Sequence, residues 1–201
     1  MRTYRLLAVM AIVLAGTIFS CSDDDQITNS EPSEDIMPLA IGNRWTYEIL
    51  RLDPLGDTVS LDSQSTVIVG DTVISGQTWY QYETDVIQSS DLPDLRNASD
   101  GLLITGPDST YPPYLLAKYP ATTGDTWTNA NGDDTLWVRG TKVSVTVPAG
   151  TYECVQYAIH RLSGDSTINY YAPGTGLVRQ IFFVSRTHSQ NRSELLSATI
   201  K

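Results

Sequence analysis

Between Thr141 and Ser185 the sequence leaves the chain little choice of structure. Thr141–Val147 alternates strictly, with Val143, Val145 and Val147 on one face and Lys142, Ser144 and Thr146 on the other. That two-residue period is the signature of a half-buried strand. Pro148-Ala149-Gly150 then fits a tight turn, with proline at its second position and glycine at its fourth. Thr151–His160 returns antiparallel, and Ser163-Gly164-Asp165 turns the chain again. Ser166–Tyr171 follows, and Ala172-Pro173-Gly174-Thr175 fits a type II turn in which Gly174 takes a positive φ. Leu177–Ser185 completes a meander of four strands.

The rest of the chain supports the same class. Trp45–Leu52 alternates with Trp45, Tyr47 and Ile49 on one face. Gln64–Val69 reads as a strand turned by Gly70-Asp71, and Thr78–Thr84 as a strand that follows Ser75-Gly76. Tyr114–Tyr119 and Arg192–Ile200 are further strands. Asn131-Gly132, between Gly124–Thr128 and Thr135–Arg139, is a strong signal for a type I′ hairpin. Residues 86–113 are irregular, with only Gly101–Thr105 strand-like. Helical periodicity is almost absent. About ten short strands at this spacing predict an all-β domain, either a curved, partly closed antiparallel barrel or a β-sandwich.

The N-terminus has a different character. Arg2 and Arg5 precede an apolar run from Leu6 to Ala15, which continues through Ser20 to Cys21. A basic start, a short apolar stretch and a small residue at the end form a secretory leader. The run is shorter than the ~20 apolar residues that span a membrane. Ile18-Phe19-Ser20-Cys21 resembles the lipobox of bacterial lipoproteins. The resemblance implies cleavage before Cys21, a diacylglycerol on its thiol and acylation of its freed amine. The membrane is then the first expected partner, through that lipid, and the outer membrane the expected location. Ser22–Asp25 is similar to the surface-export signal of Bacteroidetes lipoproteins; a solvated spacer accounts for the same residues equally well. The expected organisation is a signal peptide over 1–20, a lipidated, acidic and flexible linker over 21–36 and one β domain over 37–201. A linker of about fifteen residues would hold the domain roughly 20 Å from the bilayer.

Three motifs carry a second resemblance: Pro38-Leu-x-x-Gly42-x-x-Trp45-x-Tyr47, Val147-Pro-Ala-Gly-Thr-Tyr-Glu-Cys154 and Tyr171-Ala-Pro-Gly-x-Gly-Leu-Val178. In this order they resemble a group of uncharacterised bacterial exported lipoproteins with a strongly curved antiparallel sheet. That group implies a fold and no catalytic residues. Its architecture is similar to half-barrel lipoprotein carriers, an analogy of fold only.

Charge narrows the function. The chain has 13 Lys and Arg against 23 Asp and Glu, a net −10. Loss of Arg2 and Arg5 with the leader leaves 11 cations against 23 carboxylates, a net −12. Such a balance argues against nucleic acid as a partner and against docking on anionic lipid heads. The residues also lack the arrangements that catalysis needs. His160 and His188 are the only histidines, and neither belongs to a zinc-like spacing. No GxSxG, phosphate loop or dinucleotide motif is present. Asp133-Asp134 sits in an apparent turn. Asn129, Asn131 and Gly132 fall at the third, fifth and sixth positions of a calcium loop, but Trp127 and Val138 occupy its first and last ligand positions. The expectation is a protein that is not an enzyme, with no metal and no cofactor. Cys154, left without a partner once Cys21 is lipidated, reads as a small buried hydrophobe.

Two binding roles remain. A curved sheet lined by the 4 Trp, 11 Tyr and 3 Phe could enclose a hydrophobic small molecule or lipid. Val178, Phe182 and Val184 on one face and Ile181 and Phe183 on the other suggest a strand covered on both sides or lining an apolar cavity. This carrier reading expects an underfilled interior and a lid over 86–113. The alternative is a structural or interaction lipoprotein of a cell-envelope complex, with a filled core and an exposed apolar patch.

Overall fold

The structure, a computed structural model, describes residues 35–105, 112–129 and 132–201. The leader, Cys21, Asn131 and most of the linker lie outside the described residues.

Twelve strands form one antiparallel sheet. They are β1 (Arg44–Leu52), β2 (Thr58–Ile74), β3 (Gln77–Thr84), β4 (Leu95–Ala98), β5 (Gly101–Ile104), β6 (Tyr114–Lys118), β7 (Thr126–Thr128), β8 (Asp134–Val147), β9 (Gly150–Arg161), β10 (Ser166–Ala172), β11 (Gly176–Val184) and β12 (Ser189–Thr199). Their order across the sheet is 6-5-4-3-2-1-12-11-10-9-8-7. Two six-strand meanders therefore lie side by side, zipped together where β1 pairs with β12. The expected meander is β8 to β11, in the anticipated order. The sheet has two more strands than the sequence predicts. It is neither a closed barrel nor a two-sheet sandwich.

Topology dictates curvature. A flat sheet of twelve strands would be about 53 Å wide at ~4.8 Å per strand. Yet β6 and β7, its two edges, are joined by residues 119–125 alone. Seven residues reach at most about 25 Å. The sheet must curl until its edges meet. Across the seam, side chains from β7 and β9 donate to main-chain carbonyls of β6. Trp127 Nε1 donates to Leu115 O at 2.7 Å, and the Tyr157 hydroxyl donates to Lys118 O at 2.6 Å. Lys118 Nζ lies 3.0 Å from the Asp125 carboxylate.

Several turns differ from expectation. Gly70-Asp71 does not end a strand. β2 runs through it for 17 residues, and the register shifts between Ile68 and Gly70. The extra residue, Val69, is accommodated as a β-bulge. The tight hairpin comes later, at Ser75-Gly76, where both residues have positive φ (51° and 75°) between paired Ile74 and Gln77. That is the pattern of a type I′ turn. Gly132 does not take a central place in a two-residue turn: its N–H donates to Asn129 O, which makes it the fourth residue of that turn. Ala172–Thr175 closes as expected, with Thr175 N–H bonded to Ala172 O and Gly174 at φ 72°. The described part of the 86–113 segment contributes β4 and β5 to the sheet and a short 3-10 turn over Ser89–Asp91.

Candidate functional site

The three motifs meet in one structural node. Trp45, wholly buried, donates its indole N–H to Thr175 O at 2.7 Å. The Tyr47 hydroxyl donates to Leu177 O at 3.1 Å. Gly176 lets this happen: a Cβ there would stand 3.3 Å from Met37 Cγ and 3.4 Å from Trp45 Nε1. Gly174 N–H reaches Asp35 O, and the side chain of buried Asn43 bridges Pro38 O and Lys201 N. The tip of the β8–β9 hairpin arrives at the same end, where Ala149 N–H donates to Leu195 O. These motifs are therefore devices of folding. Burial drives the Tyr47 and Tyr171 phenols far above their usual range, so neither exchanges a proton near neutral pH.

Among the described residues the inner face carries one packed cluster. Tyr157 stacks edge-on against both Trp127 and Tyr171, with centroids 6.2 and 5.9 Å apart. Val138, Val178 and Leu195 pack around them with at most 1% exposure. Towards the other end the inner face becomes polar. Buried Thr167 accepts a hydrogen bond from Arg161, whose guanidinium lies 5.3 Å from the Phe182 ring centroid. Buried Asn169 accepts one from Gln180. Tyr82 and Tyr114 stand nearby. Burial raises both phenols, and next comes their mutual repulsion for Tyr82 and the Asp134 charge for Tyr114. Phe182 thus faces a cation rather than an apolar cavity, and Phe183, on the opposite face, is solvent-exposed. The strand is not apolar-covered on both sides at this end.

The other residues singled out in the sequence stay apart. Cys154 is free and buried, and burial pushes its thiol up to about 11. His160 and His188 are exposed. Asn129 Oδ1 accepts from Asp134 N–H at 3.1 Å, so it caps its own turn. Among the described residues no three His, Cys, Asp or Glu side chains gather where they could hold a metal.

Sequence reasoning missed the surroundings of Asn97, on β4. Two clefts flank it, with volumes of about 360 and 340 Å³. Asp35 and Asn97 line both. The first continues over Ile36, Ser99 and Tyr119, the second over Gln77, Tyr80 and Arg96. The gap has a structural origin. β3 and β4 share a single residue pair, Tyr80 with Leu95, and the incoming segment around Met37 lies against Asn97. Ile36 and Met37 are themselves core residues. No sequence pattern marks Asn97, because its significance comes from strands that diverge only in three dimensions.

No family model and no curated protein matches the chain. Among solved structures it is similar to a candidate exported protein with a YmcC-like fold from Bacteroides fragilis, with 14% identity and a TM-score of 0.41 over 83% of this chain and 99% of the other. It is also similar to a candidate lipoprotein from Parabacteroides distasonis, with 13% identity and a TM-score of 0.38 over 84% of this chain and all of the other.

Proposed function

We propose that this protein is a non-catalytic lipoprotein of the cell envelope, held at the outer membrane by lipid on Cys21, that serves as an interaction subunit for another envelope protein. The observation that carries this reading is the aromatic and aliphatic packing of the inner face among the described residues. Trp45, Tyr157, Tyr171 and their neighbours pack against one another on that face. Carriage of a hydrophobic molecule requires an apolar cavity, and both clefts beside Asn97 are lined with polar groups. The convex face adds support. The five apolar residues Trp137, Ile168, Ile181, Leu50 and Leu61 lie in one row that crosses seven strands, with buried Ala158 after the first and Arg192 between Ile181 and Leu50, by the pairing register. Of the five, Leu61 is 62% exposed and the others half-buried. Apolar surface of this kind is suited to a protein partner, and the acidic balance disfavours an anionic lipid surface.

Cross-linking of the full-length lipoprotein in its native membrane tests the reading. A specific envelope protein should be captured, and Leu61→Asp should reduce its capture. Native mass spectrometry of the same chain should show no bound lipid after incubation with phospholipid and fatty acid. A stoichiometric added lipid mass that disappears on denaturation would overturn the interaction reading in favour of a carrier.

A further inference from the structure

β2 is offset between its neighbours. It pairs with β1 from Thr58 to Val67 but with β3 only from Thr66 to Ile74. β3 leaves it where Thr84 N–H donates to Ile87 O and the chain turns away. One further contact follows, at Ser65. Its N–H donates to an Asp85 carboxylate oxygen at 2.6 Å, and its carbonyl accepts from Asp85 N–H at 3.3 Å. Both main-chain groups of Ser65 therefore face away from β1. Along an antiparallel strand these groups point alternately to one side and the other. The β1 ladder is unbroken from Ser65 to Leu61, so the main-chain groups of Ser63 and Leu61 face the same open edge. Ser63 N–H is taken by the Asp62 side chain at 2.8 Å. Ser63 O, Leu61 N–H and Leu61 O have no partner among the described residues. Leu61, Asp62 and Ser63 are all exposed. Open edges are commonly blunted by lysine or proline, and residues 58–74 contain neither.

We infer that this edge is where the partner protein docks, by adding an extended segment of its own chain as a further strand beside Leu61. Strand addition draws affinity from main-chain hydrogen bonds and selectivity from alternate side chains. The register states what those side chains must be. Leu61 lies opposite Leu50, at the end of the apolar row on the convex face. The incoming residue beside Leu61 is therefore apolar and extends that row. Asp62 points to the other face, so the residues that flank the apolar one are basic. Neither Asp62 nor Asp85 has an ion pair among the described residues, and Arg51, across from Ser60, pairs with neither. The same carboxylates disfavour a second copy of this chain, because edge-to-edge pairing would bring acidic residues together. The inference rests on the reading of the protein as an interaction subunit and names the segment it would recognise.

Calorimetry and hydrogen exchange on the full-length lipoprotein in detergent test it, with the peptide Thr-Val-Lys-Val-Lys-Val-Thr as probe. The peptide should bind saturably and slow exchange of the Leu61 amide about tenfold or more, because that N–H is bonded only in the complex. Glutamate in place of both lysines should weaken binding about fivefold or more. Proline in place of the central valine removes a main-chain donor and should weaken it at least as much. In the protein, Leu61→Pro removes only an outward N–H and leaves the β1 ladder in place. It should lose the probe, whereas Leu61→Val, which keeps the N–H, should retain it. Absence of saturable binding at millimolar peptide overturns the edge site, as does binding that leaves exchange at Leu61 unchanged. A concentration-dependent dimer that slows the same amide without peptide would assign the edge to a second copy and overturn the inference. Cross-linking to an envelope partner that is lost in Leu61→Asp but kept in Leu61→Pro would show that the edge had failed while the interaction role stood.

Discussion

At the residue scale, glycine and tryptophan explain one another. Gly176 has φ +96°, a region that side chains rarely adopt, and the space beside its Cα is taken by Met37 and the Trp45 indole. An added methyl group would meet strain in the backbone and crowding against a buried ring. Gly176→Ala should destabilise the fold by about 1–3 kcal/mol, read as a lower urea midpoint with an unchanged slope. Gly164→Ala makes a useful contrast. Its φ is similar, +89°, but the nearest atom is the exposed Ser185 side chain at 3.5 Å. It should lose only the backbone part of the effect. A larger loss at Gly164 than at Gly176 would refute the role assigned to the Trp45 contact.

At the element scale, much of the sheet was legible because alternation and turn residues are local. The β8–β11 meander follows from the period-two pattern of Val143–Val147 and from Pro148-Ala149-Gly150 and Pro173-Gly174. The bulge at Gly70 was read as a turn because a glycine and an aspartate signal both, and only the pairing of β2 with β3 on each side distinguishes them. β4 was missed because its four residues, Leu95-Arg96-Asn97-Ala98, are too few to show a period. The cleft beside it was equally hidden, since it arises from a ladder of one pair. The closing seam was beyond local reading too: it depends on Trp127 and Tyr157 finding carbonyls at Leu115 and Lys118, 12 and 39 residues away. Because the edges share no ladder there among the described residues, single side chains control them. Tyr157→Phe keeps the ring stack and leaves Lys118 O without its donor, which should cost about 1–3 kcal/mol. Hydrogen exchange should show faster exchange in β6 with β9–β10 still protected. Unchanged exchange in β6 would mean that the seam is held elsewhere.

At the scale of the whole molecule, the anchor and the buried ionisable groups each give a prediction. If lipid on Cys21 supplies the attachment, Cys21→Ser should move the protein from the membrane fraction to the soluble one, with the thermal unfolding of the β domain unaltered. The second prediction concerns alkali. Burial raises the phenols of Tyr47, Tyr157 and Tyr171, and the thiol of Cys154 to about 11. Each group is neutral when protonated, so below its unfolded pKa it is neutral in both states and contributes no pH dependence. As pH rises through that value, about 8.5 for cysteine and 10 for tyrosine, the unfolded chain ionises while the folded core still holds the proton. The unfolded state then binds fewer protons, and stability falls with rising pH by up to about 1.4 kcal/mol per unit for each group. Stability should therefore decline above about pH 8.5 and more steeply once the tyrosines of the unfolded chain begin to ionise. Cys154→Ala should flatten the first part of this decline, between the unfolded cysteine value and about 11, and leave the steeper part in place. Urea midpoints measured from pH 7 to pH 11 in both proteins would show it. A wild-type midpoint that stays level across that range would mean that these side chains reach water in the folded protein, and the packed interior on which the functional reading depends would fall with them.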